Sequence, residues 1–375
     1  MNGGAEQLAM RRIPMPDVAR FFGIVLVYYG HIIERIMYLK DPTATMHYKL
    51  IYSFHMAFFF LLSGFIFNAD KLYMPLNRFF RKQVASRLVP YFVFSAVLVV
   101  LSLLFKGHFV VVDLSTVQGY LQGGLATLLG FPVFNIPLWF MACLFSVELI
   151  HFVVGRYLKS DAMLIAAAVV TYLSGYYLTL YVQFLPGPNF WFLHEALVVY
   201  SFYLVGVLLR RRGIFMAPVQ RLILVPALVA CALAVWFTFN LNTGPFRLFD
   251  AVVIVLSGHG HVFWFMFTAL CGSMMLLVLA NLCGRVGIFR FMGRNGLILF
   301  CLNGVFYHFF NGPFAEWFMQ NYTATPFTVT FAGCLFTLVS LAACVPLVLL
   351  LERYVPQLVG RPAMRGPLLP ALVKA

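Results

Sequence analysis

Long apolar stretches separated by short polar segments run through almost the whole chain. Each stretch has about the length, roughly 20 residues, that a helix needs to cross a bilayer, and none shows the ~10-residue alternation of a membrane β-barrel strand. The stretches 119–133 and 248–257 are harder to assign, and a re-entrant or interfacial segment is one interpretation of the first. The pattern predicts ten transmembrane helices, at 18–38, 50–69, 84–105, 135–155, 162–181, 191–210, 219–239, 259–282, 295–312 and 327–351.

The composition supports the same fold class. Of the 375 residues 62% are hydrophobic and only 10% are charged, whereas soluble domains are ~45–50% apolar and ~25% charged. A water-soluble enzyme is therefore excluded, because too little polar surface is available to cover it. We expect an all-α polytopic membrane protein in which residues 1–375 form a single domain.

The net charge of +14 is explained by topology and does not require a nucleic-acid partner. With the N-terminus in the cytoplasm, 21 Lys and Arg residues fall on the cytoplasmic side and 5 on the opposite side, as the positive-inside rule requires. The five are Arg35, Lys40, Lys49, Lys106 and Arg247. The distribution predicts that both termini are cytoplasmic, in a multi-pass protein of the plasma membrane.

No metal or disulfide site is predicted. The seven cysteines lie in or beside apolar stretches without C-x-x-C spacing, which is typical of cysteines that pack as small apolar side chains.

Ionisable residues inside a bilayer cost roughly 2.5–3.5 kcal/mol each on insertion scales and are functional candidates. The first span carries Arg20 and His31, eleven residues apart, with Asp17 and Glu34 beside them. Eleven steps of about 100° bring both side chains to nearly the same helix face, about 16 Å apart along the axis. The alternative is that His31 is a core histidine hydrogen-bonded to a neighbouring helix.

The second span contains the segment FHMAFFFLLSGF, residues 54–65. His55 lies at the end of this span on the side of the membrane opposite the cytoplasm, and Ser63 and Gly64 are small residues that allow close helix approach. A packing motif with an interfacial histidine is the alternative to a functional His55.

These segments together resemble the acyltransferase-3 family of integral membrane acyltransferases. Asp17, Arg20 and His31 match its "D-x-x-R … H" opening, and residues 54–64 match its "F-H-M-P-x-F-F-x-x-S-G" segment, with Ala57 in place of the proline. Further matches are Arg78, Arg81, Arg87 and Pro90 after the second span, Pro137–Phe140 in the fourth, and Gly206 with Arg210 in the sixth. The segment 293–303 is most similar to the branch related to fucose 4-O-acetylases, in which a histidine commonly stands where this chain has Asn303; the nearest histidine is His308.

The resemblance implies transfer of an acyl group, with acetyl expected, from acetyl-CoA in the cytoplasm to a hydroxyl of an extracytoplasmic or lipid-linked saccharide. Arginine binds phosphate through two parallel hydrogen bonds, so Arg20, Arg78, Arg81 and Arg210 are the donor candidates. Ordinary positive-inside anchors are the alternative for them. Trp139 is expected to pack on the pantetheine arm, or else to be an interfacial aromatic anchor.

A saccharide hydroxyl must lose its proton as it attacks a thioester, and imidazole, with an ordinary pKa near ~6.5, suits this task. His31 is the predicted general base. Glu34 either orients its ring or pairs with Arg35, while Asp17 and His55 are assigned to the acceptor substrate. Four further far-side residues are candidates to line the acceptor site: Glu195, Asp250, His259 and His261.

Two other classes remain open at this point. A transporter or flippase for lipid-linked saccharides also needs a polar cavity among ten helices, and a structural membrane subunit needs none. Neither accounts for the Arg20 and His31 pair together with the other motifs. The enzyme is expected to act with glycan-assembly machinery as a possible partner.

Overall fold

The computed structural model describes residues 14–109, 111–182, 189–216, 219–243 and 250–373. Four basic residues used in the topology prediction, Arg11, Arg12, Arg247 and Lys374, lie outside the described residues. The described residues are helical apart from connecting segments and one isolated antiparallel bridge, between Val253 and Gly258. The fold class is therefore all-α.

Ten helices in the described part of the chain are long and apolar enough to cross a membrane. Each overlaps one of the ten predicted spans. They are α1 (Met15–Tyr38), α2 (Pro42–Ile66), α3 (Leu76–Leu104), α4 (Ile136–Tyr157), α5 (Asp161–Tyr181), α6 (Phe190–Arg211), α7 (Arg221–Leu241), α8 (Val262–Leu282), α9 (Gly296–Asn321) and α10 (Pro326–Tyr354). The stretch 119–133 contains instead part of a separate short helix, Val117–Leu128.

Helix α1 lies at the centre of the bundle. It follows Pro14, carries Asp17 in its first turn, and packs against α2, α8, α9, α10 and the short helix Gly287–Arg294. Residues from several of its faces, including Val18, Val27 and Ile36, are almost fully buried. A helix enclosed in this way presents its polar side chains to other helices and to internal cavities, not to lipid.

Helices α2 and α6 approach each other at two glycines. A Cβ on Gly64 would clash with the backbone carbonyl of Tyr203, and one on Gly206 would clash with the carbonyl of Leu61. The contact is reciprocal, and only glycine leaves room for the backbones to meet. This close packing fixes α2, and with it His55, relative to the rest of the bundle.

Two wide π-helical turns interrupt the long helices, at Val84–Leu88 in α3 and at Phe306–Phe310 in α9. The first directly precedes Pro90, whose ring and missing N–H disturb the regular hydrogen-bond ladder. The second leaves both Tyr307 and His308 buried. Such turns re-aim side chains and are frequent at functional sites.

A mostly buried irregular segment, residues 251–257, precedes α8 and contains one short 3₁₀ turn, Ile254–Leu256. Its backbone bridges at Val253 and Gly258, and Ser257 adopts a left-handed conformation with φ 57°. The Ser257 hydroxyl donates to the fully buried carboxylate of Glu195, which also accepts from the Asn189 amide at 3.2 Å. Irregular backbone inside a membrane protein is tolerated where protein surrounds it or where it lines a cavity.

Candidate active site

Arginines gather around Asp17 where α1 begins. The Asp17 carboxylate accepts from Arg20 at 2.8 Å and lies 3.6 Å from the Nε of Arg294. It is only 3% exposed. Asp17 thereby holds both arginines at the start of α1. Asp17, predicted to bind the acceptor, therefore lies in this cationic cluster and not beside His55.

A cavity of about 240 Å³, here called the inner cavity, opens beside this cluster. Four guanidinium groups, from Arg20, Arg87, Arg294 and Arg361, line it together with the first residues of α9. The N-terminus of a helix carries a partial positive charge that adds to the attraction for anions. The rest of the lining is mainly apolar and includes Phe300.

Arg87 reaches the inner cavity from the π-helical turn of α3. Its Nε and Nη2 donate to the two oxygens of Glu148 at 3.1 and 2.8 Å. Glu148 is 3% exposed and lies on α4, so this bidentate pair joins α3 to α4. Outside the spans, desolvation lowers the pKa of Lys71, and the nearby Glu148 opposes that shift.

Arg78 and Arg81 line a second and wider cavity of about 820 Å³, here called the outer cavity. Both are exposed, and Lys82 and Asn77 lie beside them. The opposite wall is formed by residues after α10. The volume lies in the range of ~300–1,000 Å³ that is usual for ligand pockets, and its cations suit a ligand with several phosphates.

Arg210 is not part of either cavity lining. Its Nη1 donates to the Phe65 carbonyl at 3.3 Å, at the end of α2. This contact caps a helix terminus, where cations are favourable. The structure therefore does not bring Arg210 together with Arg20, Arg78 and Arg81.

His31 faces a third and much smaller cavity, of about 40 Å³, here called the histidine cavity. Its Nδ1 lies 3.0 Å from Oε2 of Glu34, one turn further along α1. A neutral imidazole that donates from Nδ1 to a carboxylate keeps its Nε2 lone pair available to accept a proton. This is the arrangement of a histidine base oriented by an acid.

Glu34 is surrounded by hydroxyl donors from three helices. Tyr38 donates to Oε1 at 2.6 Å, Tyr307 to the same oxygen at 3.3 Å, and Tyr52 to Oε2 at 3.0 Å. With His31, four donors satisfy this 6%-exposed carboxylate, as a buried charge requires.

Among the described residues, no direct salt bridge joins Arg35 to Glu34. Its Nη2 donates instead to the Tyr307 carbonyl at 3.2 Å, and its guanidinium lies 4.5 Å from the centre of the Tyr307 ring. Of the two alternatives for Glu34, the geometry favours orientation of His31.

His55 and Trp139 line the same histidine cavity as His31. Nδ1 of His55 donates to the Ile51 carbonyl at 2.9 Å, which directs the other ring nitrogen away from its own helix. Residues Val252–Val255, in the segment before α8, form another wall. Trp139 thus lines the cavity of the two histidines and is not part of the lining of either basic cavity, where the sequence had grouped it.

Phe300 belongs to both the inner cavity and the histidine cavity. It is 4% exposed and its ring lies 5.5 Å from that of Phe140 and 6.3 Å from that of Phe59. One aromatic wall therefore separates the arginine-lined space from the two imidazoles. Arg20 and His31 both face cavities inside the bundle, on the two sides of this wall.

The other far-side candidates do not form one site. Asp250 is exposed and lies 4.0 Å from Lys49, Glu195 holds the buried segment, and Nδ1 of His261 caps α8. Within the described ranges, no three His, Cys, Asp or Glu side chains are grouped as metal ligands.

Several site residues were not predicted from the sequence. These are Tyr38, Tyr52, Tyr307, Glu148, Arg294, Arg361 and Phe300. Tyr38 lies one turn beyond Glu34, so its helix spacing was a usable signal. The others meet the site only through contacts between distant parts of the chain.

The comparisons with known proteins give one match. A family model described as an acyltransferase domain, Acyl_transf_3, matches residues 14–346, which include all of the predicted site residues. No curated protein and no solved structure matches the chain.

Proposed function

This chain belongs to the acyltransferase-3 family, and from that premise we propose that it is a membrane O-acyltransferase acting on saccharides. The donor is acyl-CoA from the cytoplasm, with acetyl as the acyl group. The acceptor is a hydroxyl of a cell-envelope or exported polysaccharide, or of its lipid-linked precursor. We place the enzyme in the bacterial inner membrane with both termini cytoplasmic, where glycan-assembly machinery can supply the acceptor.

The donor is proposed to enter from the face that carries the arginines. Its phosphates bind in the outer and inner cavities, where Arg78 and Arg81 line the first and Arg20 and Arg294 line the second. Its thioester then lies toward Phe300, the residue that lines both the inner cavity and the histidine cavity. Small acyl groups fit this scheme best, because the histidine cavity beyond Phe300 is only about 40 Å³.

The acceptor hydroxyl is proposed to reach His31 in the histidine cavity. Nε2 of His31 takes the hydroxyl proton as the oxygen attacks the thioester carbonyl carbon, so that a C–O bond forms. The tetrahedral intermediate collapses with cleavage of the C–S bond, and the imidazolium returns its proton to the leaving thiolate. The products are the ester and free coenzyme A.

Glu34 is a positioning residue in this scheme. Its carboxylate, held by Tyr38, Tyr52 and Tyr307, fixes the ring of His31 and stabilises the imidazolium that forms during transfer. His55 and the segment Val252–Val255 are proposed to hold the acceptor on the far side of the same cavity.

The observation that supports this proposal most directly is the oriented imidazole of His31. It lies in a cavity that shares Phe300 with an arginine-lined cavity. The test compares cells that carry the intact chain, the His31→Ala variant or no gene, with mass spectrometry of envelope and secreted glycans. We expect an acetyl mass increment on one sugar with the intact chain only. His47→Ala is the matched control, since His47 bonds Tyr29 and lies outside the site.

The same measurement separates the alternative function. Loss of the whole glycan from the exported fraction, with no change in acyl content, would indicate a transporter or flippase. Acetylation that persists in the His31→Ala variant at equal membrane level would remove His31 from the mechanism.

A further inference from the structure

The chain after α10 folds back onto the arginine-rich face. This C-terminal tail, residues 355–373, begins with a short turn at Pro356–Val359 and a left-handed Gly360, φ 87°. The side-chain amide of the fully buried Gln357 donates to the Leu369 carbonyl, and the Leu372 N–H donates to the Pro362 carbonyl at 2.8 Å. These bonds give the tail a defined fold.

The tail forms a wall of both basic cavities. Arg361 lines the inner cavity, and Ala363 lines the outer cavity. Two residues span at most ~7 Å of extended chain, so the two cavities lie next to each other across the tail. The tail also lies beyond residue 346, where the match to the family model ends.

Arg361 is held in position by two contacts that use only some of its hydrogen-bond donors. Its Nη1 pairs with Glu352, and its Nη2 donates to Oδ1 of Asn295 at 2.9 Å. A guanidinium has five N–H donors, so three are left without a protein acceptor among the described residues. Its side chain is 27% exposed and faces the cavity that Arg20 and Arg294 also line.

We propose that the C-terminal tail completes the donor site and that Arg361 binds a phosphate of acyl-CoA between the inner and outer cavities. This inference rests on the proposed function, because it takes acyl-CoA as the ligand. The planar fork of arginine suits phosphate oxygens, and the hydrogen bond to Asn295 pre-orients it at small entropic cost on binding. A donor site built in this way includes a residue outside the family-matched segment.

The competing explanation is that Arg361 has only a structural role and fixes the tail through its contacts with Glu352 and Asn295. The two explanations differ in what happens when Glu352 is neutralised. A purely structural contact is weakened by both changes, since Arg361→Ala removes the contacts to Glu352 and Asn295 and Glu352→Gln removes the charge pair. A phosphate ligand is lost in Arg361→Ala, whereas in Glu352→Gln the guanidinium remains and no longer has a competing carboxylate.

The experiment measures the Kd of coenzyme A for the purified full-length protein in detergent by calorimetry. We expect Arg361→Ala to weaken binding about 10-fold, as loss of one charge-assisted contact implies, and Glu352→Gln to leave it unchanged or tighter. Arg365→Ala removes the same charge from an exposed position of the same tail and should stay within about twofold, because Arg365 lines neither basic cavity.

Equal weakening in Arg361→Ala and Glu352→Gln, or an unchanged Kd in Arg361→Ala, would overturn the inference. Failure of the proposed function has a different signature. In that case the intact protein itself does not bind coenzyme A, whatever residue stands at position 361.

Discussion

Glu34→Gln tests the positioning of the base at nearly constant volume. In the intact protein His31 donates to Glu34 at 3.0 Å, which leaves Nε2 as the proton acceptor. An amide at position 34 has its own N–H groups, and when these face His31 the ring must accept at Nδ1 and carry its proton on Nε2, the wrong tautomer for a base. Even with the amide oxygen facing His31, the negative charge is gone.

The size of the effect follows from the geometry. When His31 becomes an imidazolium during transfer, a unit charge 3.0 Å from the carboxylate is stabilised by about 5–6 kcal/mol at an effective dielectric constant of about 20. If about half of this charge has developed in the transition state, roughly 3 kcal/mol is lost in the variant, and kcat falls about 100-fold. The KM for acyl-CoA should change little, because Glu34 lines neither basic cavity.

The assay follows release of the coenzyme A thiol from acetyl-CoA by the protein in detergent, with the acceptor glycan present. The matched control is Glu316→Gln, the same change at an exposed carboxylate of α9, which should retain full turnover. A Glu34→Gln enzyme that is folded and has a kcat within about threefold of the intact protein would refute the role given to Glu34.

Two further predictions concern the wall between the cavities and the packing of α2. Phe300→Ala should enlarge the space that joins the inner and histidine cavities. The ratio of kcat/KM for butyryl-CoA to kcat/KM for acetyl-CoA should therefore rise at least several-fold. A ratio equal to that of the intact protein would show that Phe300 does not limit acyl size. Gly64→Ala forces a Cβ against the Tyr203 carbonyl, and the backbone there has no room to move away. The amount of monodisperse protein recovered by size-exclusion chromatography should therefore fall sharply. Gly124→Ala is the control, since a Cβ there meets nothing within 4 Å, and equal yields of both variants would contradict the packing argument.

The ten helices could be predicted because their signal is local. Twenty apolar residues in sequence cross a bilayer whatever their neighbours are, so each predicted span overlaps an observed helix. His31 was recognisable for a similar reason, since a titratable group inside an apolar helix is costly. The Arg20 spacing added one more local clue.

The surroundings of His31 required the three-dimensional packing. Tyr52 and Tyr307 reach Glu34 from α2 and α9, and no spacing within one helix reveals that meeting. The π-helical turn that leaves Tyr307 buried is equally hidden in the sequence. Arg210 differs from the other predicted donor residues, because it matched the family motif at a helix end, yet its contact is the Phe65 carbonyl and it lines neither basic cavity.

The small volume of the histidine cavity also affects a competing reaction. A space of about 40 Å³ holds only a small number of water molecules. In the proposed mechanism, little solvent therefore reaches a thioester held beside His31. Under the proposed mechanism, few water molecules compete with the acceptor alcohol for His31, so the small cavity favours acyl transfer to the alcohol over hydrolysis of the donor.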